Sequence, residues 1–272
     1  FNDKLYFSAN NSGGVGRELW KSDGTYEGSE IVADIHSASD SDPKYLVEMN
    51  GKLYFTATDT ALGNQLFVSD GTTNNATRLS DVNYESGPPK ELTAVNNTLF
   101  FIAATHSMVT DYIWKTSGET AEQVGYLNGD GYNDAEYLTN VNGTLFLAGQ
   151  DASGDVELWT SDGTTNTLID INAAGESSPM YITSVNNKAF FRATESGDTE
   201  LWISDGAADG TILVKNIYSE GSSNPDMLIN FNGVLLFVAD FSPGDTWLWK
   251  TDGTAAGTTD IVNLDISVGE AP

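Results

Sequence analysis

Six copies of one sequence unit fill almost the whole chain. The clearest copy runs Asn50-Gly51-Lys52-Leu53-Tyr54-Phe55 and continues to Gln65-Leu66-Phe67-Val68-Ser69-Asp70-Gly71-Thr72. The turn asparagines of the six copies are Asn2, Asn50, Asn96, Asn142, Asn186 and Asn232, so successive copies are offset by 48, 46, 46, 44 and 46 residues. A sustained period of this length, with only strand-like segments inside it, limits the chain to stacked blades, solenoid turns or a tandem array. It leaves function open, because one repeat scaffold serves enzymes, receptors and spacers.

Inside one unit the segments read as four short antiparallel strands. Lys44 to Met49 is the first, and Asn50-Gly51 is a two-residue hairpin turn. Leu53 to Ala57, apolar on both faces, suits a strand sandwiched between neighbouring sheets. Gln65 to Ser69 is the third, closed by Asp70-Gly71, and Ala76 to Val82 is the fourth. Such a unit is a propeller blade. The expected fold is therefore all-β, a six-bladed β-propeller with four antiparallel strands per blade, and a linear β-repeat array is the alternative. The expected organisation is a single domain over 1–272, with units at 1–48, 49–94, 95–140, 141–184, 185–230 and 231–272.

A proline precedes the turn asparagine by seven positions at Pro43, Pro89, Pro179 and Pro225, and Pro272 falls in the same register. If the ring closes on Asn2, about five residues of one innermost strand separate Pro272 from Phe1. The expectation is that the chain belongs to something longer. The first blade is then completed by residues from both chain ends, which removes exposed sheet edges.

Trp20, Phe67, Trp114, Trp159, Trp202 and Trp249 follow the turn asparagine by 16 to 18 residues in every unit. One bulky ring per blade suits the packing between adjacent sheets better than a ring of sugar-stacking platforms. Trp247 shares a face with Trp249 and has no counterpart in the other units. The Asp-Gly pairs at Asp23, Asp70, Asp162, Asp205 and Asp252, with Ser117-Gly118 in the third unit, are turn chemistry first. The fourth-strand residues Asp34, Asp81, Asp170, Asp265 and Asn216 are expected to cap backbone N–H groups where the chain crosses to the next blade.

Glu18-Leu19-Trp20-Lys21-Ser22-Asp23-Gly24-Thr25 and Glu157-Leu158-Trp159-Thr160-Ser161-Asp162-Gly163-Thr164 resemble the ELWxxDGT repeat of large bacterial surface and secreted proteins. Val32-Ala33-Asp34-Ile35 and Leu168-Ile169-Asp170-Ile171 echo a further part of that pattern. The match is degraded in the second unit (Gln65-Leu66-Phe67) and the third (Tyr112-Ile113-Trp114). The resemblance implies propeller modules in long extracellular, adhesin-like chains secreted by bacteria. It implies no catalytic motif.

The chain carries 39 acidic and 12 basic residues, a formal charge of −27. Such a field repels phosphate backbones and anionic lipid, which argues against nucleic acid as a partner. No apolar stretch approaches the roughly 20 residues of a membrane span, so no direct membrane insertion is expected. The same field attracts Ca²⁺, which takes carboxylate and carbonyl oxygens. The acids gather in two sets of loops expected to share one face. One set holds Asp59, Asp111, Asp151, Asp155, Glu195, Asp198 and Asp245. The other holds Asp40, Asp42, Glu85, Asp130, Asp134, Glu136, Glu176 and Glu220.

The densest run, Asn128-Gly129-Asp130-Gly131-Tyr132-Asn133-Asp134-Ala135-Glu136, makes Asn128, Asp130, Asp134 and Glu136 the first candidate Ca²⁺ ligands. Asp40 and Asp42 are the second. No cysteine is present, and His36 and His106 have no evident ligand partner in the sequence. Arg17, Arg78 and Arg192 lie in different units, without the convergence a sialidase-like site needs. A glycosidase carboxylate pair remains the enzymatic alternative. The leading expectation is a non-catalytic recognition module that binds carbohydrate or a cell-surface protein on the acidic loop face and is stabilised by Ca²⁺. Neighbouring domains of a longer parent chain are further expected partners, and a spacer without ligand is the competing reading.

Overall fold

The structure is a computed structural model and describes residues 1–272 except 11–13, 15, 80–86, 105–111, 119, 126, 128–134 and 265–272. Its regular structure is six antiparallel sheets, each from one repeat unit or a register neighbour of it. Sheet 1 contains β1 (Leu5–Asn10), β2 (Arg17–Ser22) and β3 (Glu30–Ala33). Sheet 2 contains β4 (Lys44–Met49), β5 (Lys52–Asp59), β6 (Gly63–Ser69) and β7 (Thr77–Arg78). Sheet 3 contains β8 (Gly87–Val95), β9 (Thr98–Ala104), β10 (Tyr112–Thr116) and β11 (Ala121–Gln123).

Sheet 4 contains β12 (Glu136–Val141), β13 (Thr144–Gln150), β14 (Val156–Ser161) and β15 (Asn166–Ile169). Sheet 5 contains β16 (Met180–Val185), β17 (Lys188–Glu195), β18 (Asp198–Ser204) and β19 (Ile212–Lys215). Sheet 6 contains β20 (Asp226–Phe231), β21 (Val234–Ser242), β22 (Asp245–Thr251) and β23 (Thr259–Asn263). Within each sheet the strands lie in chain order, so every connection is a hairpin. Among the described residues the only helical segment is a single 3-10 turn at Ala208–Gly210. No helix among them is long and apolar enough to cross a membrane.

The chain divides into two compact units, one built from sheets 1–3 and one from sheets 4–6. The four-strand expectation holds for five sheets. Among the described residues sheet 1 has three strands, which correspond to the second, third and fourth of the other sheets, and β1 pairs with β2 alone. In sheet 2 the fourth strand is shorter than expected, Thr77–Arg78, and residues 80–82 of the expected strand lie outside the described residues.

Turn chemistry sets the hairpins. The asparagine and the residue after it both take positive φ at Asn2-Asp3, Asn50-Gly51, Asn142-Gly143, Asn186-Asn187 and Asn232-Gly233. Two consecutive positive φ values are the type I′ geometry that matches strand twist. A second repeated irregularity has no glycine to announce it. Tyr45, Glu91, Tyr137, Tyr181 and Met227 take φ between 52° and 59° where the first strand of the sheet breaks register with its neighbour. These are bulges, which bend the strand and raise its twist.

Five of the six sheets bury one apolar residue completely in the strand that carries the repeated ring: Leu19, Leu66, Ile113, Leu158 and Leu201 are all 0% exposed. The alternate residues point the opposite way and carry the repeated ring. In the second compact unit Trp202 packs with Phe191, Ala189 and Ala193 of its own sheet against Leu158, Phe146 and Ile169 of sheet 4. Trp249, Phe237 and Ala239 of sheet 6 pack in the same way against Leu201, Phe190 and Val214 of sheet 5. The rings thus fill the space between sheets, as their strand position implied. Sheet 6 is the exception on its other face. Leu248 is only half-buried, and Met227, Ile229 and Phe231 are 69%, 58% and 59% exposed.

Candidate functional site

The repeated letters are consumed by structural bonds. In all six sheets the hydroxyl that ends the third strand (Ser22, Ser69, Thr116, Ser161, Ser204 or Thr251) accepts the N–H of the turn glycine at 2.9–3.0 Å. Those glycines all have positive φ, between 81° and 118°. The aspartate before the glycine accepts the backbone N–H two residues on, as Asp23 does from Thr25, Asp70 from Thr72, Asp162 from Thr164 and Asp252 from Thr254. At Asp23, Asp70 and Asp252 the threonine hydroxyl bond, followed by the backbone bond, holds the carboxyl below its ordinary pKa. These aspartates are Asx-turn residues.

The first letter of the ELW run does something that spacing alone does not reveal. Glu18, Glu157 and Glu200 are almost fully buried. One oxygen of each accepts the backbone N–H of Ile35, Ile171 or Ile217 at 2.9–3.2 Å. The other accepts the backbone N–H of Ser41, Ser177 or Ser223 at 2.7–3.2 Å, and the same serine donates its hydroxyl to the carboxylate at 2.5–2.6 Å. The serine carbonyl in turn accepts the N–H of Thr58, Thr194 or Asp240 in the following sheet at 2.7–2.8 Å. Each glutamate is therefore a bracket that ties one sheet, the crossing loop and the next sheet together. Burial raises the pKa of all three glutamates, against the opposing serine and backbone bonds.

This corrects the expectation for the fourth-strand aspartates. The crossover N–H groups of Ile35, Ile171 and Ile217 are capped by the buried glutamates and not by Asp34, Asp170 or Asn216. Asp34 and Asp170 are exposed, and Asn216 donates to Asp198 at 3.1 Å. Asp81 and Asp265 lie outside the described residues.

Of the candidate Ca²⁺ ligands, Asn128, Asp130 and Asp134 also lie outside the described residues, and Glu136 is an exposed residue at the start of β12. Asp40 accepts the backbone N–H of Arg17 at 2.8 Å, and Asp42 sits 3.4 Å from the Arg17 guanidinium. Among the described residues no three acidic or histidine side chains come together as a metal cluster would. Several other loop acids are engaged locally. Asp59 is held below its ordinary pKa although burial pushes it up, because Leu62, Ala61 and Arg78 all donate to it. Asp151 accepts from Ser153 and Asp155, and Asp245 from Asn263.

Among the described residues two open grooves lie between neighbouring sheets, each within one compact unit. The groove between sheets 2 and 3 has a volume near 370 Å³ and is lined by Lys52, Asp70, Asn75, Thr77, Arg78 and Gly118 among others. The groove between sheets 4 and 5, near 340 Å³, is lined by Asp170, Glu195, Thr211, Trp202, Ile171 and Leu213 among others. Both volumes lie in the range of small-molecule sites. Their linings combine repeated positions, such as Asp70, Asp170 and Trp202, with positions that vary between units, such as Lys52, Arg78 and Glu195. A smaller apolar pocket in sheet 6, near 100 Å³, is bounded by Phe241, Trp247, Trp249 and Asp260. Trp247 stands where three other units carry the bracket glutamate.

No family model and no curated protein matches the sequence. Solved structures do resemble it. The β-propeller domain of the trilobed protease from Pyrococcus furiosus aligns with a TM-score of 0.56 and 12% identity over 97% of this chain and 81% of that one. The acylaminoacyl peptidase of Pyrococcus horikoshii gives 0.55 and 11% over 96% of this chain, and a puromycin-hydrolyzing peptidase from Mycobacterium tuberculosis gives 0.57 and 9% over 94%. This chain spans 43% and 44% of those two peptidases, less than half of each. At such identities the likeness speaks to fold alone, and the fold it shows is that of the β-propeller domains.

Proposed function

We propose that the chain is a non-catalytic recognition module of a longer extracellular bacterial protein, and that it binds carbohydrate. The observation that carries this reading is the fate of the repeated residues. The serines held against carboxylates, Ser41, Ser177 and Ser223, are 0% exposed and spend their hydroxyls on Glu18, Glu157 and Glu200. They are sealed struts, not nucleophiles. Among the described residues, grooves between neighbouring sheets stay open to solvent, and their linings differ from one another, which suits binding on a rigid scaffold. A glycan array probed with the native protein tests the reading, with and without EGTA. Binding to a defined subset of glycans is expected, together with no turnover of aryl glycosides or peptide substrates. Turnover without retained binding would favour the enzymatic reading, for which the peptidase propellers supply a precedent.

Ca²⁺ belongs to the same proposal, with Asn128, Asp130, Asp134 and Glu136 as its ligands. A cation that binds only the native state must stabilise it. Addition of millimolar Ca²⁺ is expected to raise the melting temperature and EGTA to lower it. An unchanged melting temperature would remove the ion from the account.

The finer architecture is also a proposal: a closed six-bladed propeller whose first blade gains its innermost strand from residues at both chain ends. The single-sided pairing of β1 and the exposed Met227, Ile229 and Phe231 of sheet 6 support it, since an open edge and an apolar sheet face both call for cover. Small-angle scattering from the native protein should give the profile of a compact disc. An elongated particle would point to the linear array.

A further inference from the structure

Sheet 6 departs from the glutamate bracket at the strand and, by register, at the crossing loop as well. Leu248 pairs with Val262 as Leu19 pairs with Ala33 and Leu201 with Lys215. Asn263 thus takes the place of Asn216, and it donates to Asp245 at 2.7 Å as Asn216 does to Asp198 at 3.1 Å. Asn263, and not Asp265, is the fourth-strand counterpart of Asp34, Asp170 and Asn216. The bracket serines Ser41, Ser177 and Ser223 lie seven positions after those three residues and two before Pro43, Pro179 and Pro225. Seven positions after Asn263 and two before Pro272 stands Glu270. In the same unit the glutamate position on the strand holds Trp247.

The two positions change together from sheet to sheet. Glutamate on the strand comes with serine in the loop in sheets 1, 4 and 5. The serine carbonyls there meet Thr58, Thr194 and Asp240, and in sheet 3 the residue that pairs at that place, with Ala104, is Gly87. Its strand partner in sheet 2 is Gln65, whose amide oxygen is left without an acceptor's bond. The sixth unit exchanges the polarity: the strand carries an indole, which only donates, and the loop carries a carboxylate, which only accepts. Positions that vary together are those that touch.

The described part of sheet 6 agrees. The Leu264 N–H, which a strand glutamate would cap, donates to the Thr246 carbonyl at 2.9 Å, so no carboxylate is needed on the strand. The Trp247 Nε1 is buried and has no partner among the described residues, which end at Leu264 on this side. Trp20 and Trp202 are unpartnered too, but they stand at the ring position. There Trp114, Trp159 and Trp249 show that the acceptor is a carbonyl of the neighbouring strand. At the Trp247 position, sheets 1, 4 and 5 show the side chain meeting the crossing loop.

We propose that residues 265–272 fold back on sheet 6 and that the Glu270 carboxylate accepts the Trp247 indole N–H, a bracket with donor and acceptor exchanged. The chain is long enough, since Leu264 to Glu270 spans as many residues as Ile217 to Ser223 in sheet 5. The contact needs only sheet 6 and its own loop, so it stands whether or not the ring closes.

Nitrogen-15 spectra of the native protein test it through the Trp247 indole N–H, assigned by its loss in Trp247→Phe. Glu270→Ala should shift that resonance and speed its exchange with solvent roughly tenfold or more. Glu270→Gln keeps an acceptor oxygen and should leave exchange near the native rate. Urea unfolding gives a second readout that needs no assignment. Trp247→Glu sets two carboxylates against each other and should lower the midpoint, and adding Glu270→Ser rebuilds the pairing of sheets 1, 4 and 5 and should recover most of the loss. A Trp247 resonance untouched by Glu270→Ala would overturn the contact. So would a double variant that Glu270→Ser fails to rescue.

Discussion

Replacing Glu200 by alanine should lower the stability of the protein by about 3–5 kcal/mol. The carboxylate receives three donors: the Ile217 and Ser223 N–H groups and the Ser223 hydroxyl. An unsatisfied buried donor costs about 1–3 kcal/mol, and alanine orphans all three. Glutamine should cost less, about 1–3 kcal/mol, because its oxygen can serve one backbone N–H while its amide nitrogen must face the other. Sheet 2 carries this replacement naturally. There Gln65 donates to the Leu62 carbonyl instead, and its oxygen is left without a partner. Urea unfolding measures the loss, with the partly exposed Thr199 untouched and exposed Glu220→Ala as the control expected within about 0.5 kcal/mol of the native protein. A Glu200→Ala variant as stable as the control would remove the bracket from the account.

The brackets also fix the direction of pH dependence. Burial raises the folded-state pKa of Glu18, Glu157 and Glu200, so the stability linked to their neutral forms is complete below the ordinary glutamate range and fades as pH rises through the raised values. Asp23, Asp70, Asp205 and Asp252 are shifted down by their turn bonds and, at Asp205, also by Lys188. Their contribution is present above the ordinary aspartate range and fades as pH falls through the lowered values. Stability should therefore be greatest at mildly acidic pH, near 4–5 by the ordinary carboxyl ranges, and decline toward neutrality. Glu200→Ala should flatten that decline.

The second large effect is expected at Trp249. Truncation to alanine should cost about 3–5 kcal/mol, the range for a buried large aromatic. The ring is 2% exposed, stacks at 6.5 Å from Phe237 and 6.4 Å from Phe241, and donates to Ala239. Lys215 also sits 5.6 Å from the ring centroid while donating to the Thr258 carbonyl. Phenylalanine should recover most of the loss, as Phe67 does in sheet 2. A Trp249→Ala variant of native stability with reduced glycan binding would reverse the assignment of these rings to packing.

The period, the turns and the ring positions were legible in the sequence because each depends on local chemistry. Asn-Gly demands positive φ at two positions, Asp-Gly supplies an Asx turn, and one bulky ring per unit fills the space between sheets. The brackets were not legible. Glu157 and Ser177 are twenty positions apart, and a glutamate in an ELW run reads as a solvent-facing charge until the serine is seen beside it. For the same reason Asp170 was read as a cap, when the cap on Ile171 comes from Glu157. The bulge at Tyr137 and Tyr181 carries no glycine and left no signal. The groove between sheets 4 and 5 is assembled from two repeat units, so no run of consecutive residues announces it.

The claim that the repeated tryptophans build the scaffold and do not themselves bind the glycan can be read from six signals. The chain has six tryptophans, and each contributes one indole N–H resonance to a nitrogen-edited spectrum. Titration with a glycan selected on the array is expected to leave the resonances of the packed, repeated tryptophans in place. The resonances of Trp114, Trp159 and Trp249, whose N–H groups are already bonded to carbonyls, should stay in place. A spectrum in which those three move would contradict the account.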